Sequence, residues 1–255
     1  YALSDLYVTV GAGTPLAELQ AALAQDGMWV PLASPWPAST VGGVLATAFN
    51  APQRMRYGGA RDLMLAATVA LADGRVIRAG RPVVKNVAGY DLPKLFVGSY
   101  GTLGLLADVT LKLAPLPRAR ATLAIPVADT QQGLAVGRAL LRVCLVASSL
   151  LLVSRPSGEW LADVPLPLDD VSSVLLYTAE GEREDVAAEM AQMEAVAAGF
   201  GLRAVALNAV SGTDVWGAFL RGAGGNSTLM RVGVPPKDVS AAVAALEGML
   251  AGGAF

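Results

Sequence analysis

The segment "DLMLAATVALADGRVIRAG", residues 62–80, places the strongest constraint on the fold of this chain. Alternating apolar and polar residues precede and follow Asp73-Gly74, and an Asp-Gly pair between two such runs is a strong signal of a β-hairpin. A second alternating run, "LGLLADVTLKLAPLP", predicts a strand over Leu105–Leu113 that the following proline pair ends. The sequence therefore predicts an antiparallel sheet in the first half of the chain.

Three helices are predicted near these strands. The segment "LYVTVGAGTPLAELQAALAQDG" predicts a short strand, a glycine turn and an amphipathic helix, with Thr14 as N-cap, Pro15 as the first helical residue and Gly27 after the end. The segment "PWPASTVGGVLATAF" predicts a loop that leads into a helix of small residues. The segment "DLPKLFVGS" predicts a short helix that Asp91 caps.

The second half of the chain repeats one order of elements twice. Residues 120–156 predict a strand, a helix and a strand, and residues 171–210 predict the same order again. Two consecutive β-α-β units indicate an α+β layer with helices on one face of a sheet. We place the domain boundary near Leu116–Arg120, which gives domains of residues 1–117 and 118–255, and expect a last helix over Asp238–Leu250.

Composition excludes several classes of function. The net charge is −2 without a cluster of Lys and Arg, so no nucleic-acid site is indicated. The strongest apolar run, Val143–Val153, is too short to cross a bilayer, and the 54% hydrophobic content instead indicates a large core or a subunit interface. The chain has no His, which removes Ser-His-Asp, Cys-His and His-zinc chemistry. Its single cysteine, Cys144, allows no intrachain disulfide and is predicted to be a buried helix residue.

Familiar nucleotide and hydrolase motifs are incomplete. The segment "GAGTPL" has the form G-x-G after a strand, but Leu16 stands where a dinucleotide fingerprint needs Gly, so a plain strand-to-helix turn is favoured. No G-K-[ST] motif occurs, and "VGSYG" is not a nucleophile elbow. We predict no catalytic residue and no metal ligand in this chain.

Three glycine-bearing segments are the strongest candidates for a binding site, although each has a plain structural alternative. "PASTVGG", residues 37–43, opens a helix whose bare amides suit a pyrophosphate, or is simply a tightly packed cap. "RMRYGGARDLML", residues 54–65, offers backbone to a planar ring, or is a loop closed by an Arg–Asp pair. "KNVAGYDLPKLFVGSYGTLGLL", residues 85–106, lets a flat cofactor come into contact through its spaced glycines, or is a glycine-rich connector.

Taken together and in this order, the three segments resemble the FAD-binding domain of the vanillyl-alcohol-oxidase-type, or PCMH-type, flavoproteins. Within that superfamily, "VVKNVAGYDLPKLFVGSYGTLGLLADVTLKLAPLP" is similar to the FAD-binding accessory subunits of bacterial glycolate oxidases. The resemblance covers residues 1–117 well and 118–255 more weakly, where "WGAFLR" is similar to a segment of the family's cap domain. It implies an α+β fold, with the C-terminal part of a PCMH-type FAD-binding domain followed by a truncated α+β cap of repeated β-α-β units.

The resemblance also implies which residues hold FAD. In the family, the segment matching residues 37–43 follows the pyrophosphate and ribityl chain, the one matching residues 57–58 meets the flavin ring, and the one matching residues 101–106 offers backbone groups to the adenine. Leu103, Leu105 and Leu106 are expected to anchor the last turn in the core. The implied cofactor-binding residues are Ser39, Thr40, Gly42, Gly43, Tyr57, Gly58, Gly101, Thr102, Gly104, Leu105 and Leu106.

The sequence departs from the family pattern in three respects. The family's domain has an earlier half with a glycine-rich pyrophosphate loop, whereas this chain starts at Tyr1 in a pattern already under way, so we expect missing upstream residues and poor FAD affinity without them. Relatives that oxidise 2-hydroxy acids carry His-rich motifs in the cap, and this chain has no His. Tyr100 stands where relatives commonly have an acidic residue.

Two readings of function follow. In the first, the chain is a flavin-carrying, cytoplasmic subunit of a glycolate-oxidising complex, attached to the inner face of the membrane through its partners. A larger flavoprotein subunit would supply the catalytic histidines and an iron–sulfur subunit would take the electrons. In the second, the chain is a scaffold that keeps the fold without FAD. A free-standing oxidase is disfavoured because Arg56, Arg61 and Arg221 offer a carboxylate clamp but no base accompanies them.

Overall fold

A computed structural model describes residues 4–81, 91–154, 172–208, 210–222 and 230–251 of the chain. The chain divides into two compact units, Tyr1–Arg118 and Ala119–Phe255. The predicted boundary at residues 117 and 118 lies within one residue of this division. No helix in the described ranges combines the length and the apolar character that crossing a bilayer requires.

The first unit is a four-stranded antiparallel sheet covered by short helices. The strands lie in the order β1-β5-β3-β4, and a separate two-stranded sheet pairs β2 with β6. The strands are β1 (Tyr7–Gly11), β2 (Met28–Trp29), β3 (Met64–Ala70), β4 (Val76–Gly80), β5 (Leu105–Lys112) and β6 (Ala114–Pro115). The helices are α1 (Leu16–Ala24), α2 (Val41–Ala46), α3 (Arg54–Tyr57), α4 (Ala60–Leu63) and α5 (Pro93–Phe96).

The hairpin and the strand that the sequence predicted are both confirmed. β3 and β4 pair antiparallel around Asp73-Gly74, where Gly74 has a φ of 86° and the Asp73 carboxylate accepts the Arg75 amide. A positive φ is the reason that the turn uses glycine. The predicted strand over Leu105–Leu113 is β5, which lies between β1 and β3.

The two predicted helix caps are wrong in detail. α1 begins at Leu16, one residue later than predicted, and the Thr14 carbonyl instead accepts the Val41 amide. Asp91 does not cap α5, because its carboxylate pairs with Lys94 at 2.6 Å. The residues at the two N-cap positions are instead Pro15 and Leu92, and neither makes a side-chain cap hydrogen bond.

The second unit is a four-stranded antiparallel sheet in the order β10-β7-β9-β8. Helices α6 and α7 pack on one face of the sheet, as predicted, whereas α8 lies with the small cluster on the opposite face. The strands are β7 (Ala119–Val127), β8 (Ala147–Ser154), β9 (Ser173–Gly181) and β10 (Val205–Asn208). The helices are α6 (Thr130–Leu141), α7 (Arg183–Gly199), α8 (Gly212–Gly222) and α9 (Val239–Ala251). The α9 bounds lie within one residue of those predicted.

A buried carboxylate ties α7 to the sheet of the second unit. Glu189 lies on α7 and is only 3% exposed, yet one of its oxygens accepts the backbone amides of Leu145 and Val146, each at 2.8 Å. The other oxygen accepts the hydroxyl of Tyr177, which is fully buried on β9. The carboxylate therefore satisfies three donors that packing removes from water.

Cys144 is not the buried helix residue that the sequence predicted. α6 ends at Leu141, and Cys144 follows in the loop that leads to β8, where it is half-buried. Burial raises the pKa of its thiol, and the negative charge of Glu189 raises it further. The thiolate is therefore scarce at neutral pH, which argues against a nucleophilic role.

We predict that the stability of the second unit falls in alkaline solution because of Tyr177. Burial raises the pKa of its phenol well above the ordinary value of 10, and the hydrogen bond to Glu189 and the charge of that residue add to the rise. Since the unfolded chain loses this proton above about pH 10 and the folded chain keeps it, the free energy of unfolding drops by about 1.4 kcal/mol per pH unit there. Urea unfolding between pH 8.5 and 11 measures this slope. The slope of the unfolding free energy against pH should be shallower by that amount in Tyr177→Phe. Equal slopes for the variant and the wild type would contradict the role of the Tyr177 phenol.

Candidate functional site

Two of the three glycine-bearing segments meet directly at helix α2, and the third is tied to the loop that follows it. Residues 37–43 lead into the start of α2. Residues 98–100 lie at its end, where the Gly98 and Tyr100 amides donate to Leu45 and Ala46 at 3.1 and 2.8 Å. Asn50 links the remaining segment, because its side chain donates to the Ala48 carbonyl and accepts the Ala60 amide. Segments up to 60 residues apart are thus brought to one six-residue helix.

The amides at the start of α2 are not bare, contrary to the sequence prediction. The Val41 amide donates to Thr14, the Gly42 amide donates to Ala12 at 2.7 Å, and the Gly43 amide is capped by the Thr40 hydroxyl at 3.1 Å. The hydroxyl of Ser39 is also engaged, with Ser34 at 2.6 Å. This end of the helix is therefore held by its own chain, and any ligand would meet side chains and Cα atoms rather than free donors.

The two adjacent glycines of α2 have different surroundings. Gly42 is buried, and a Cβ added there would come within 2.7 Å of the Ala12 Cβ and 2.9 Å of the Ala12 carbonyl oxygen. The expectation that Gly42 leaves room for a ligand is therefore wrong, because the strand-to-helix turn fills that room. Gly43 is exposed, and a Cβ there would come close only to the Thr40 hydroxyl, at 3.1 Å. Gly43 is the open position of the pair.

Tyr57 and Gly58 lie at the end of α3, in a loop whose shape is fixed by polar contacts. Gly58 has a φ of 82°, and a Cβ there would come within 2.8 Å of the Asp62 Cβ, so only glycine fits. The Asp62 carboxylate accepts the Gly59 amide at 2.9 Å, which closes the loop through backbone rather than through an arginine. Tyr57 and Gly58 are both half-exposed.

The Tyr57 ring is held by an aromatic neighbour that the sequence did not reveal. It meets the ring of Trp29 edge-on, with centroids 5.1 Å apart and planes at 85°. The Arg56 guanidinium lies 5.7 Å from its centroid. The Trp29 Nε1 is buried and has no hydrogen-bond partner in the described part of the chain. No local pattern links positions 29 and 57, which only the fold brings together.

The three evenly spaced glycines of the last segment differ in what surrounds them. Gly98 has a φ of 80° and faces Ala48, and Gly104 packs so tightly on β3 that an added Cβ would come within 2.6 Å of Val69. Gly101 has a φ of 75° with nothing within 4 Å of an added Cβ. Of the three, only Gly101 presents open backbone, because the spacing does not place the glycines on one face.

The leucines that follow are only partly in the core. Leu106 is buried, as predicted, but Leu103 and Leu105 are 53% and 72% exposed. Leu105 pairs with Ala70 of β3, and Leu106 with Val69, so the two side chains point to opposite faces of the sheet. The expectation that Leu103 and Leu105 anchor the turn in the core is therefore wrong. Lys85 lies outside the described residues, and Thr102 is exposed.

The residues that remain accessible fit a flat, extended ligand. Open Cα positions at Gly43 and Gly101 lie near the two ends of α2, and half-exposed Thr40, Tyr57 and Gly58 accompany them. A helix of six residues is about 9 Å long, which is a distance that a dinucleotide spans easily. Gly42 and Gly104 are packed against neighbouring residues, so neither presents open backbone to a ligand. The cofactor contacts predicted at the accessible residues stay a prediction.

The arginines considered as a carboxylate clamp are divided between the two units of the chain. Arg56 and Arg61, two of the arginines considered as a carboxylate clamp, are exposed in the first unit, and Arg221 lies on α8 of the second. In the described ranges, no three acidic or cysteine side chains are arranged to hold a metal ion. The side chains around α2 include the Thr40 hydroxyl, the Tyr57 ring and the Asp62 carboxylate that accepts the Gly59 amide.

Comparison with known proteins relates the chain to FAD-binding oxidoreductases. Residues 2–80 match the family described as "FAD binding domain". The chain is 40% identical over 125 residues to glycolate oxidase subunit GlcE of Escherichia coli (strain K12), which covers 48% of this chain and 36% of that protein. It is 31% identical over 196 residues to glycolate oxidase subunit GlcD of Bacillus subtilis (strain 168), a match that covers 75% of this chain and 42% of that protein.

A further relative and a solved structure are also similar to the chain. A mitochondrial D-lactate dehydrogenase [cytochrome] of Arabidopsis thaliana is 36% identical over 116 residues, 46% of this chain and 20% of that protein. The solved structure of an alkyldihydroxyacetonephosphate synthase superposes with a TM-score of 0.67 at 14% identity, over 86% of this chain and 43% of that one. This likeness confirms the predicted α+β fold. The chain spans less than half the length of each of these relatives.

Proposed function

We propose, from the match of residues 2–80 to the family described as "FAD binding domain", that the chain is the flavin-carrying subunit of a multi-subunit oxidoreductase acting on small 2-hydroxy acids. The convergence of three segments on α2, which leaves open backbone at Gly43 and Gly101, is the observation that carries the proposal. The glycolate oxidase subunits and D-lactate dehydrogenase among its relatives support the substrate class.

In this proposal the chain binds and orients the cofactor. Thr40 and Gly43 would face the pyrophosphate and ribityl chain, Tyr57 and Gly58 the flavin ring, and Gly101 with Thr102 the adenine side. When bound, FAD supplies two-electron oxidation of the substrate. Trp29 and Asp62 keep the Tyr57 ring and the adjoining backbone in place, since they hold the loop from both sides. The packed residues Gly42, Gly104 and Leu106 maintain the surface from below.

A partner would supply the acid–base chemistry, because the chain has no His. We propose a larger flavoprotein subunit for this role and an iron–sulfur subunit as the electron acceptor, with the assembly in the cytoplasm at the inner face of the membrane. The relatives named as subunits of glycolate oxidase support a shared assembly. Their names support no particular acceptor, so that part rests on the resemblance alone.

The visible absorption spectrum of the full-length protein tests the proposal. We expect the two bands of oxidised flavin after purification or after incubation with FAD and gel filtration. Glycolate or D-lactate should leave the bands unchanged in the isolated protein and bleach them once the partner subunits are added. A protein that never retains flavin, alone or with its partners, would instead support the scaffold reading. Bleaching of the isolated protein would show that catalysis needs no partner histidines.

A further inference from the structure

The turn at residues 99–102 holds a tyrosine in a backbone conformation that suits glycine. The Thr102 amide donates to the Ser99 carbonyl at 3.0 Å, and both central residues have positive φ, 53° at Tyr100 and 75° at Gly101. This is the pattern of type I′ turns, whose central positions favour Gly, Asn and Asp. A bulky residue at such a φ is strained, and strain of this kind often marks a functional position.

The strained ring is also unusually open to solvent. Tyr100 is 73% exposed, so packing of its aromatic ring offsets little of the free energy of the strained backbone. Its position is fixed, however, because its amide donates to Ala46 at the end of α2. Leu103 and Leu105, three and five residues further along the chain, are exposed as well. We call Tyr100, Leu103 and Leu105 the aromatic ledge.

The backbone beside the ledge offers unused donors. In the described part of the chain, the amides of Gly101 and Leu103 have no hydrogen-bond acceptor. Gly101 has no atom within 4 Å of an added Cβ, so a ligand can approach it. An apolar platform edged by free N–H groups suits a flat heterocycle with an apolar face and acceptor nitrogens on its rim. A purine has both features.

We infer that Tyr100 stacks on the adenine of FAD and sets the preference of this chain for the dinucleotide over flavin mononucleotide. The inference rests on the proposed function, because it needs FAD bound along α2. Stacking on an aromatic ring is favourable for any base because each base presents a π-face.

Titration calorimetry of the full-length protein with FAD, ADP and flavin mononucleotide tests the inference. In Tyr100→Gly we expect FAD and ADP to bind about tenfold more weakly, which is a typical loss when a stacked aromatic ring is removed. Flavin mononucleotide, which lacks adenine, should bind as it does to the wild type. Tyr100→Phe keeps the π-face and should retain the affinity for all three ligands.

Ala48→Gly is the matched control for strain. Ala48 lies two residues beyond the end of α2, has a φ of 49° and is the other described residue near the site with a left-handed backbone and a side chain. Both glycine variants should melt at the same temperature as the wild type or higher, since each relieves a left-handed residue. Only Tyr100→Gly should lose affinity for FAD and ADP. Melting curves therefore separate a binding effect from a folding defect.

Several outcomes would overturn the inference. Unchanged FAD affinity in Tyr100→Gly would show that the ring does not touch the adenine. Equal losses of affinity for FAD and for flavin mononucleotide would show that Tyr100 affects binding only through the conformation of its loop. Loss of co-elution with a partner subunit at unchanged FAD affinity would assign the ledge to a protein interface. If the wild type bound none of the three ligands, the proposed function itself would fail. This outcome differs from a failure of the Tyr100 inference, because it appears in the wild type before any variant is measured.

Discussion

Gly42→Val is expected to destabilise the first unit by about 3 kcal/mol, because its side chain has no room. A Cβ at this position already lies 2.7 Å from the Ala12 Cβ and 2.9 Å from a backbone oxygen that accepts the Gly42 amide, and valine adds two methyl groups. Overpacking of this kind costs about 1–3 kcal/mol and more where the neighbour is backbone. Urea unfolding followed by circular dichroism measures the loss.

Gly43→Val is the matched control, since it makes the same change one residue later. Gly43 is exposed and its Cβ would meet only the Thr40 hydroxyl, so we expect a stability change within about 1 kcal/mol. Its side chain would, however, stand in the space through which FAD approaches α2. The FAD-dependent rise in melting temperature should therefore be reduced in Gly43→Val although its fold is intact.

The pair separates packing from ligand contact at adjacent glycines. A Gly42→Val protein as stable as the wild type would contradict the tight contact with Ala12. A Gly43→Val protein with an undiminished FAD-dependent rise would show that residues 39–43 do not line the cofactor. In that case the flavin assignment would rest on the family match and on the other two segments.

Glu189→Ala should cost the second unit about 3 kcal/mol. The substitution removes the acceptor of two backbone amides and of the buried Tyr177 hydroxyl, and a buried donor left without an acceptor costs about 1–3 kcal/mol. It also leaves a cavity beside β9, where Tyr177 is fully buried. Equilibrium unfolding in urea would measure the loss, with tyrosine absorbance as a second probe of the same region.

Glu194→Ala on the same helix provides the comparison. Glu194 is exposed, so the same truncation should change the free energy of unfolding by less than about 0.5 kcal/mol. A double-mutant cycle with Tyr177→Phe isolates the contribution of the phenol–carboxylate contact. Similar losses for the two glutamates would show that helix propensity, rather than the buried acceptor, explains the effect.

The predictions from sequence succeeded where the determining contacts are local. The Asp73-Gly74 turn needs a positive φ between two alternating runs, and all of that information lies within some twenty residues. The strand β5 carries its own alternation in the same way. The β-α-β repeats of the second unit are likewise visible in short windows, since each element has its own period.

The predictions failed where a residue's role depends on what the fold places opposite it. Gly42 and Gly43 are indistinguishable in sequence, yet one faces Ala12 and the other faces solvent. Spacing predicted a common face for Gly98, Gly101 and Gly104, but turns and strand starts do not keep a constant angle per residue. Trp29 could not be linked to Tyr57 because their contact crosses 28 positions without any periodic pattern.

The strand order of the first unit has a consequence for how the chain folds during synthesis. β5 lies between β1 and β3, and its register joins Tyr7 to Lys112 across the full length of the unit. β3 and β4 can pair as a hairpin as soon as they leave the ribosome, whereas β1 cannot pair with β5, its sheet partner among the described residues, until β5 emerges. The unfinished sheet would therefore expose an unpaired strand for as long as translation takes to cover some hundred residues. A ribosome stalled before residue 112 should consequently carry a nascent chain that is readily cut by protease.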